Sequence, residues 1–134
     1  MAYRVPNIVP IDLNPRKAVG VSIPFNGNAV FNSTYTTDNQ IQSNLINFIL
    51  TNKGERIQDP NFGTNLTNYI FESITSDTLQ SLEQSVLADV RRYFNNTINI
   101  QQFKVNVNYD ENTITAVLTY SYLNNPVTSV QINL

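Results

Sequence analysis

The sequence predicts an α+β fold: an N-terminal hairpin and a C-terminal three-strand meander forming antiparallel sheet, with two main helices and a short helix packed on one side. Three observations predict it. Asn26-Gly27 stands between alternating apolar runs. Two segments carry apolar residues at spacings of three and four. Three runs of period-two alternation close the sequence, separated by Asp110-Glu111-Asn112 and Asn124-Asn125-Pro126. A chain of 134 residues fits one domain with a core of its own.

The elements follow in order. Residues 1–18 contain Pro6, Pro10 and Pro15 without periodicity and read as an extended arm; 19–134 read as a single domain. Val19, Val21, Ile23 and Phe25 alternate, as do Ala29, Phe31 and Ser33 across the Asn-Gly step, so a hairpin is expected. Pro24 cannot donate to a ladder, which puts this hairpin at an edge or gives it a bulge. Thr37 or Asp38 is expected to cap a helix running to about Asn52, with Ile41, Leu45, Phe48 and Ile49 as one stripe. Gly54 is the expected residue just past its end. Glu55 to Gly63 read as an ordered loop, and Asn65 to Phe71 as a short helix with Leu66, Tyr69 and Ile70 on one side. Thr75 or Ser76 opens a second long helix to about Phe94, whose core face is Leu79, Leu82, Val86, Val90 and Tyr93. Strands are expected over Ile98 to Tyr109, Thr113 to Leu123 and Val127 to Leu134. Their inward faces are Phe103, Val105 and Val107; Ile114, Ala116, Leu118 and Tyr120; and Val130, Ile132 and Leu134.

Composition removes most chemistries. The chain has no His and no Cys, which excludes Ser–His and Cys–His nucleophile pairs, His/Cys metal sites and disulfides. Four scattered Gly make no phosphate-binding loop. No cofactor and no metal are expected. Net charge is −2 with scattered Lys and Arg, and Arg91-Arg92 reads as a solvated helix face, so no nucleic-acid footprint is seen. No run reaches the ~18 apolar residues of a membrane span, and Met1 to Pro10 lack the apolar stretch of a signal peptide. A soluble protein made in a cytoplasm is expected. Charged residues are only 13%, and 21 Asn take their place. The resulting surface is polar with little self-repulsion, which suits life inside an assembly; AT-rich codon usage would give the same composition. Among carboxylates, Glu55, Asp59 and Glu72 remain as candidates for a glycosidase-type pair, but their spacing fits no such rule. No catalytic residue is assigned.

Thr51 to Phe71 read TNKGERIQDPNFGTNLTNYIF. This resembles the gene-25-like family of baseplate wedge proteins of T4-type contractile tails, with relatives in type VI secretion baseplates. The matching positions are Gly54, Glu55, Arg56, Pro60, Phe62, Gly63, Leu66, Phe71 and Glu72, and Ile23-Pro24-Phe25 is similar to the family's N-terminal hairpin. Members often carry Glu-Pro-Arg where the long helix meets the first meander strand. Asn95-Asn96-Thr97, or the same stretch one step earlier with Phe94, stands there instead, so a salt-bridge docking contact is not carried over. The resemblance implies a structural, non-enzymatic wedge subunit that initiates the sheath, located in the virion baseplate and assembled in the host cytoplasm. It implies the tail sheath protein and other baseplate wedge subunits as partners, with central hub or tube proteins as further candidates, and neither nucleic acid nor membrane. Family members are sometimes labelled lysozyme. The alternative is therefore a tail-associated peptidoglycan hydrolase, which a turbidity assay with Glu55→Gln and Glu72→Gln separates from the structural reading.

The motif has a physical account of its own. Gly54 ends the helix, Arg56 offers donors to loop carbonyls or Glu72, Pro60 fixes φ, Gly63 permits a turn and Phe62 plugs the core. The motif is read as mainly structural. For partner binding the sequence points to Val127, Thr128, Ser129, Val130, Gln131, Ile132, Asn133 and Leu134. This strand has no charge, no Pro and no other edge guard. Either an internal neighbour such as the N-terminal hairpin pairs with it, or another chain adds a strand. Gln80, Gln84, Arg91 and Arg92 on the long helix, and the arm from Ala2 to Lys17, are lesser candidate surfaces.

Overall fold

The computed structural model describes residues 18–23, 33–69, 75–95, 97–111, 113–122 and 126–134. The proposed arm, apart from its last residue Ala18, and the Asn26-Gly27 turn lie outside them. The elements are β1 (Gly20–Val21), β2 (Ser33–Thr34), α1 (Thr37–Leu50), α2 (Leu66–Tyr69), α3 (Ser76–Phe94), β3 (Asn99–Asn108), β4 (Thr113–Ser121) and β5 (Thr128–Asn133). The strands form two antiparallel sheets, β1-β2 and β3-β4-β5. Among the described residues, β1 and β2 thus form a ladder of their own, separate from the meander's. Two compact units divide the chain after Asn44, within α1.

In the first unit, Gly20 pairs with Thr34 and Val21 with Ser33, a register symmetric about position 27. The start of α1 is tied to this ladder: Thr34 Oγ1 donates to Gln40 Oε1 at 2.5 Å, and the Ile23 amide to Ser43 Oγ at 3.2 Å. Thr36, one residue before the expected cap, is the residue that caps α1. Its Oγ1 accepts from the Asn39 amide at 3.3 Å, filling one of the donors a helix start leaves open.

In the second unit, α3 begins where the sequence placed it. Thr75 and Thr78 form a reciprocal capping box, with Asp77 in the first turn and Arg91 and Arg92 in the last complementing the helix dipole. Leu82, Val86, Val90 and Phe94 are buried. Each contributes about 1.5–3 kcal/mol by leaving water. Tyr93, expected in the core, is half exposed, and Phe94 takes the buried place. The meander runs as expected, with Ile114, Ala116, Leu118 and Tyr120 buried on β4. One feature of β3 differs: the register slips between Ile100 and Gln102, leaving Gln101 as a bulge. An extra residue flips the alternation, so Ile98 and Ile100 before it and Phe103 and Val105 after it are all buried.

Candidate functional site

Two features emerge from the second unit: a loop locked onto the end of α1, and a sheet whose β5 edge is covered by no strand among the described residues. The helix ends at Leu50, so Gly54 is not its capping residue. Gly54 has φ +90° within the turn that the Glu55 amide closes on the Asn52 carbonyl at 3.2 Å, and its own amide donates to Pro60 O at 2.9 Å. The work of ending α1 falls to Thr64. Fully buried, it donates Oγ1 to Ile49 O at 2.8 Å and its amide to Thr51 O at 2.9 Å, satisfying carbonyls that the last turn leaves open. Gly63 precedes it with φ +106°, and a Cβ there would lie 2.2 Å from Thr51 O.

The other motif residues close around this lock. Glu55 accepts the Asn52 amide on Oε2 and Asn52 Nδ2 on Oε1, both at 3.1 Å, so both carboxylate oxygens hold the loop. Arg56 lies over the Phe62 ring at 3.6 Å from its centroid, a cation–π contact that the sequence did not suggest; the expected Glu72 partner lies outside the described residues. Phe62 is buried and meets Phe48 and Tyr93 edge-on, each at 5.0 Å between centroids. Phe94 joins Phe48 at 5.5 Å. Leu66 is buried at the start of α2. Phe71, Glu72 and Asn96 lie outside the described residues.

An ion pair missed by sequence reading fastens the loop to α3. Lys53 Nζ lies 2.6 Å from Asp89 Oδ2, with side chains 31% and 11% exposed, and Arg92 stands 3.6 Å from the other oxygen. Removing Lys53 leaves the more buried charge with only the longer Arg92 contact. Lys53→Met is therefore expected to cost about 1–3 kcal/mol in urea unfolding. The double variant Lys53→Met/Asp89→Leu should recover part of that loss; equal or greater loss in the double variant would show the pair does not act this way.

The sheet edge follows from the ladder. Leu134 and Ile114 exchange amide-to-carbonyl bonds, at 2.8 and 3.4 Å. Antiparallel bonding alternates, so Ile132, Val130 and Thr128 turn their backbone groups to Ala116, Leu118 and Tyr120. Ser129, Gln131 and Asn133 turn theirs away from β4. The strand order ends at β5, so among the described residues no strand takes these three N–H and three C=O groups. Val130 and Ile132 are buried, while Ser129, Gln131 and Asn133 are exposed. Among the described residues no group of three or more His, Cys, Asp or Glu could hold a metal, and no helix is long and apolar enough to cross a membrane.

Residues 36–127 match the family model of baseplate wedge protein gp25. Baseplate wedge protein gp25 of Enterobacteria phage T4 is 34% identical over 96 residues, 70% of each chain. Among solved structures, a candidate tail lysozyme from Geobacter sulfurreducens superposes with TM-score 0.65 at 18% identity, covering 74% of this chain and 90% of that one. A chain of the anti-feeding prophage baseplate gives TM-score 0.59 at 21% identity, covering 78% and 84%. These two likenesses show the shared fold. The family match stops one residue short of β5, whose open edge therefore stands on its own geometry.

Proposed function

The chain belongs to the gp25 family of baseplate wedge proteins, and on that premise we propose that it is a structural subunit of a contractile-tail baseplate that starts the sheath by lending β5 to a foreign strand. The observation that carries this reading is the row of backbone groups on Ser129, Gln131 and Asn133 that no strand among the described residues takes up. Backbone hydrogen bonds, each worth about 0.5–1.5 kcal/mol net, supply affinity. The alternation of exposed and buried side chains supplies register, because a slip by one residue would turn the added strand's apolar face outward. The tail sheath protein is the strand donor in this reading, and other wedge subunits hold the domain at its place in the virion baseplate.

The work is geometric and uses no cofactor. A muralytic role has little to rest on. Glu55 is exposed, with both oxygens committed to Asn52, and a general acid needs a carboxyl kept protonated by burial. The likeness to the Geobacter protein extends to fold alone.

Hydrogen exchange tests the edge. In the isolated protein the Ser129, Gln131 and Asn133 amides are expected to exchange fast. In assembled tails the same segment should slow by about tenfold or more as each amide gains a partner. Unchanged exchange after assembly would overturn the edge-strand role.

A further inference from the structure

The sheet has a second edge, β3, and the central donor of that edge is taken. The Val105 amide donates to Glu83 Oε1 of α3 at 2.8 Å, so it points away from β4. By the same alternation, Phe103, Val105 and Val107 all turn their backbone groups outward. That row has the same length as the row on β5. Left bare, the two rows would be complementary: β5 of one molecule could add to β3 of the next. Such a contact is heterologous, joining different patches, and it repeats without closing, which leads to open polymers.

Three devices oppose it, all acting at the β3 edge, and β5 carries no counterpart among the described residues. Glu83 occupies the central N–H. The bulge at Gln101 breaks the straight run of the strand. Lys104 stands exposed in mid-strand, a charge that an approaching strand would have to desolvate. A carboxylate from a helix is the most specific of the three. It satisfies the very donor that strand addition would use, and it sets a negative charge where the carbonyl of an incoming strand would sit.

We infer that Glu83 is an edge guard that makes strand addition one-sided, holding β3 shut so that a second copy of this chain cannot add its β5 there. The inference shares the open β5 edge with the proposed function. It needs no other tail protein, so it stands or fails on the isolated chain.

The test is sedimentation velocity of the purified protein over a concentration series, with amide exchange by NMR. Wild-type protein should stay monomeric, and its Val105 amide should exchange at least about tenfold more slowly than that of Gln131, its open counterpart on β5. Glu83→Ala should associate as concentration rises, Glu83→Gln, which keeps an acceptor, should not, and adding Gln131→Pro to Glu83→Ala should restore the monomer. Glu83→Ala that remains monomeric at every concentration would overturn the inference. So would association that Gln131→Pro leaves intact, because the partner edge would not be β5. Equal exchange of Val105 and Gln131 in the wild-type protein would overturn it without any variant.

Discussion

Gln131→Pro is expected to fold normally and to leave baseplates without sheaths. The amide of Gln131 faces away from β4, because Val130 and Ile132 on either side bond inward. Proline removes that one donor and places its ring where an added strand would lie, while the ladder to β4 keeps its bonds. An incoming strand loses a hydrogen bond and meets a clash, lowering its occupancy by about tenfold to a hundredfold per site. Val130→Pro is the contrasting variant. It breaks the inward ladder at a residue 1% exposed, and it should unfold the meander. For the same reason, deleting Val127 to Leu134 is a poor test, since it removes Val130 and Ile132 from the core. Electron microscopy of particles, with circular dichroism of the purified variant, reads the outcome. Sheathed tails at the wild-type frequency on baseplates carrying Gln131→Pro would contradict the initiator role.

Gly63→Ala should destabilise the domain most among single methyl additions. Its φ of +106° strains any L side chain, and the new Cβ would fall 2.2 Å from the Thr51 carbonyl, which is backbone and cannot swing aside. Relieving the clash means withdrawing Thr64 from the carbonyls of Ile49 and Thr51. The expected cost is about 3 kcal/mol or more, a fall in Tm of about 10 °C. Gly54→Ala is the internal control. It has φ +90° but nothing within 4 Å of the added methyl, so it should cost only about 1 kcal/mol. Thermal unfolding of the two variants side by side decides the matter; equal losses would mean that positive φ alone, and not the lock on α1, explains the glycine.

What could be read in the sequence was what repeats locally. The stripes of α1 and α3 and the alternation of β4 and β5 are set by each element's own period, so Leu45, Val86, Ala116 and Val130 are legible as core without a partner in view. The bulge was also written there. Apolar residues fall at 98 and 100, then at 103, 105 and 107, a change of phase that a single strand from Ile98 to Tyr109 passes over. Asp89 lies three residues past Val86 on the apolar face of α3, a charge in a stripe that calls for a partner. Naming Lys53 as that partner needs tertiary structure. So does Glu83, whose acceptor role depends on an amide 22 residues away, and so does Thr64, 15 residues from the carbonyl it satisfies. The open edge was half legible. Its lack of charge and proline is a sequence property, while the choice between an internal neighbour and a foreign strand depends on which strands stack beside it.

A high-resolution map of the assembled tail at the base of the sheath bears most directly on strand donation. It should show an extended segment of another polypeptide hydrogen-bonded to the backbone of Ser129, Gln131 and Asn133. Density in which β5 borders only solvent, or is sealed by this chain's own residues, would contradict it.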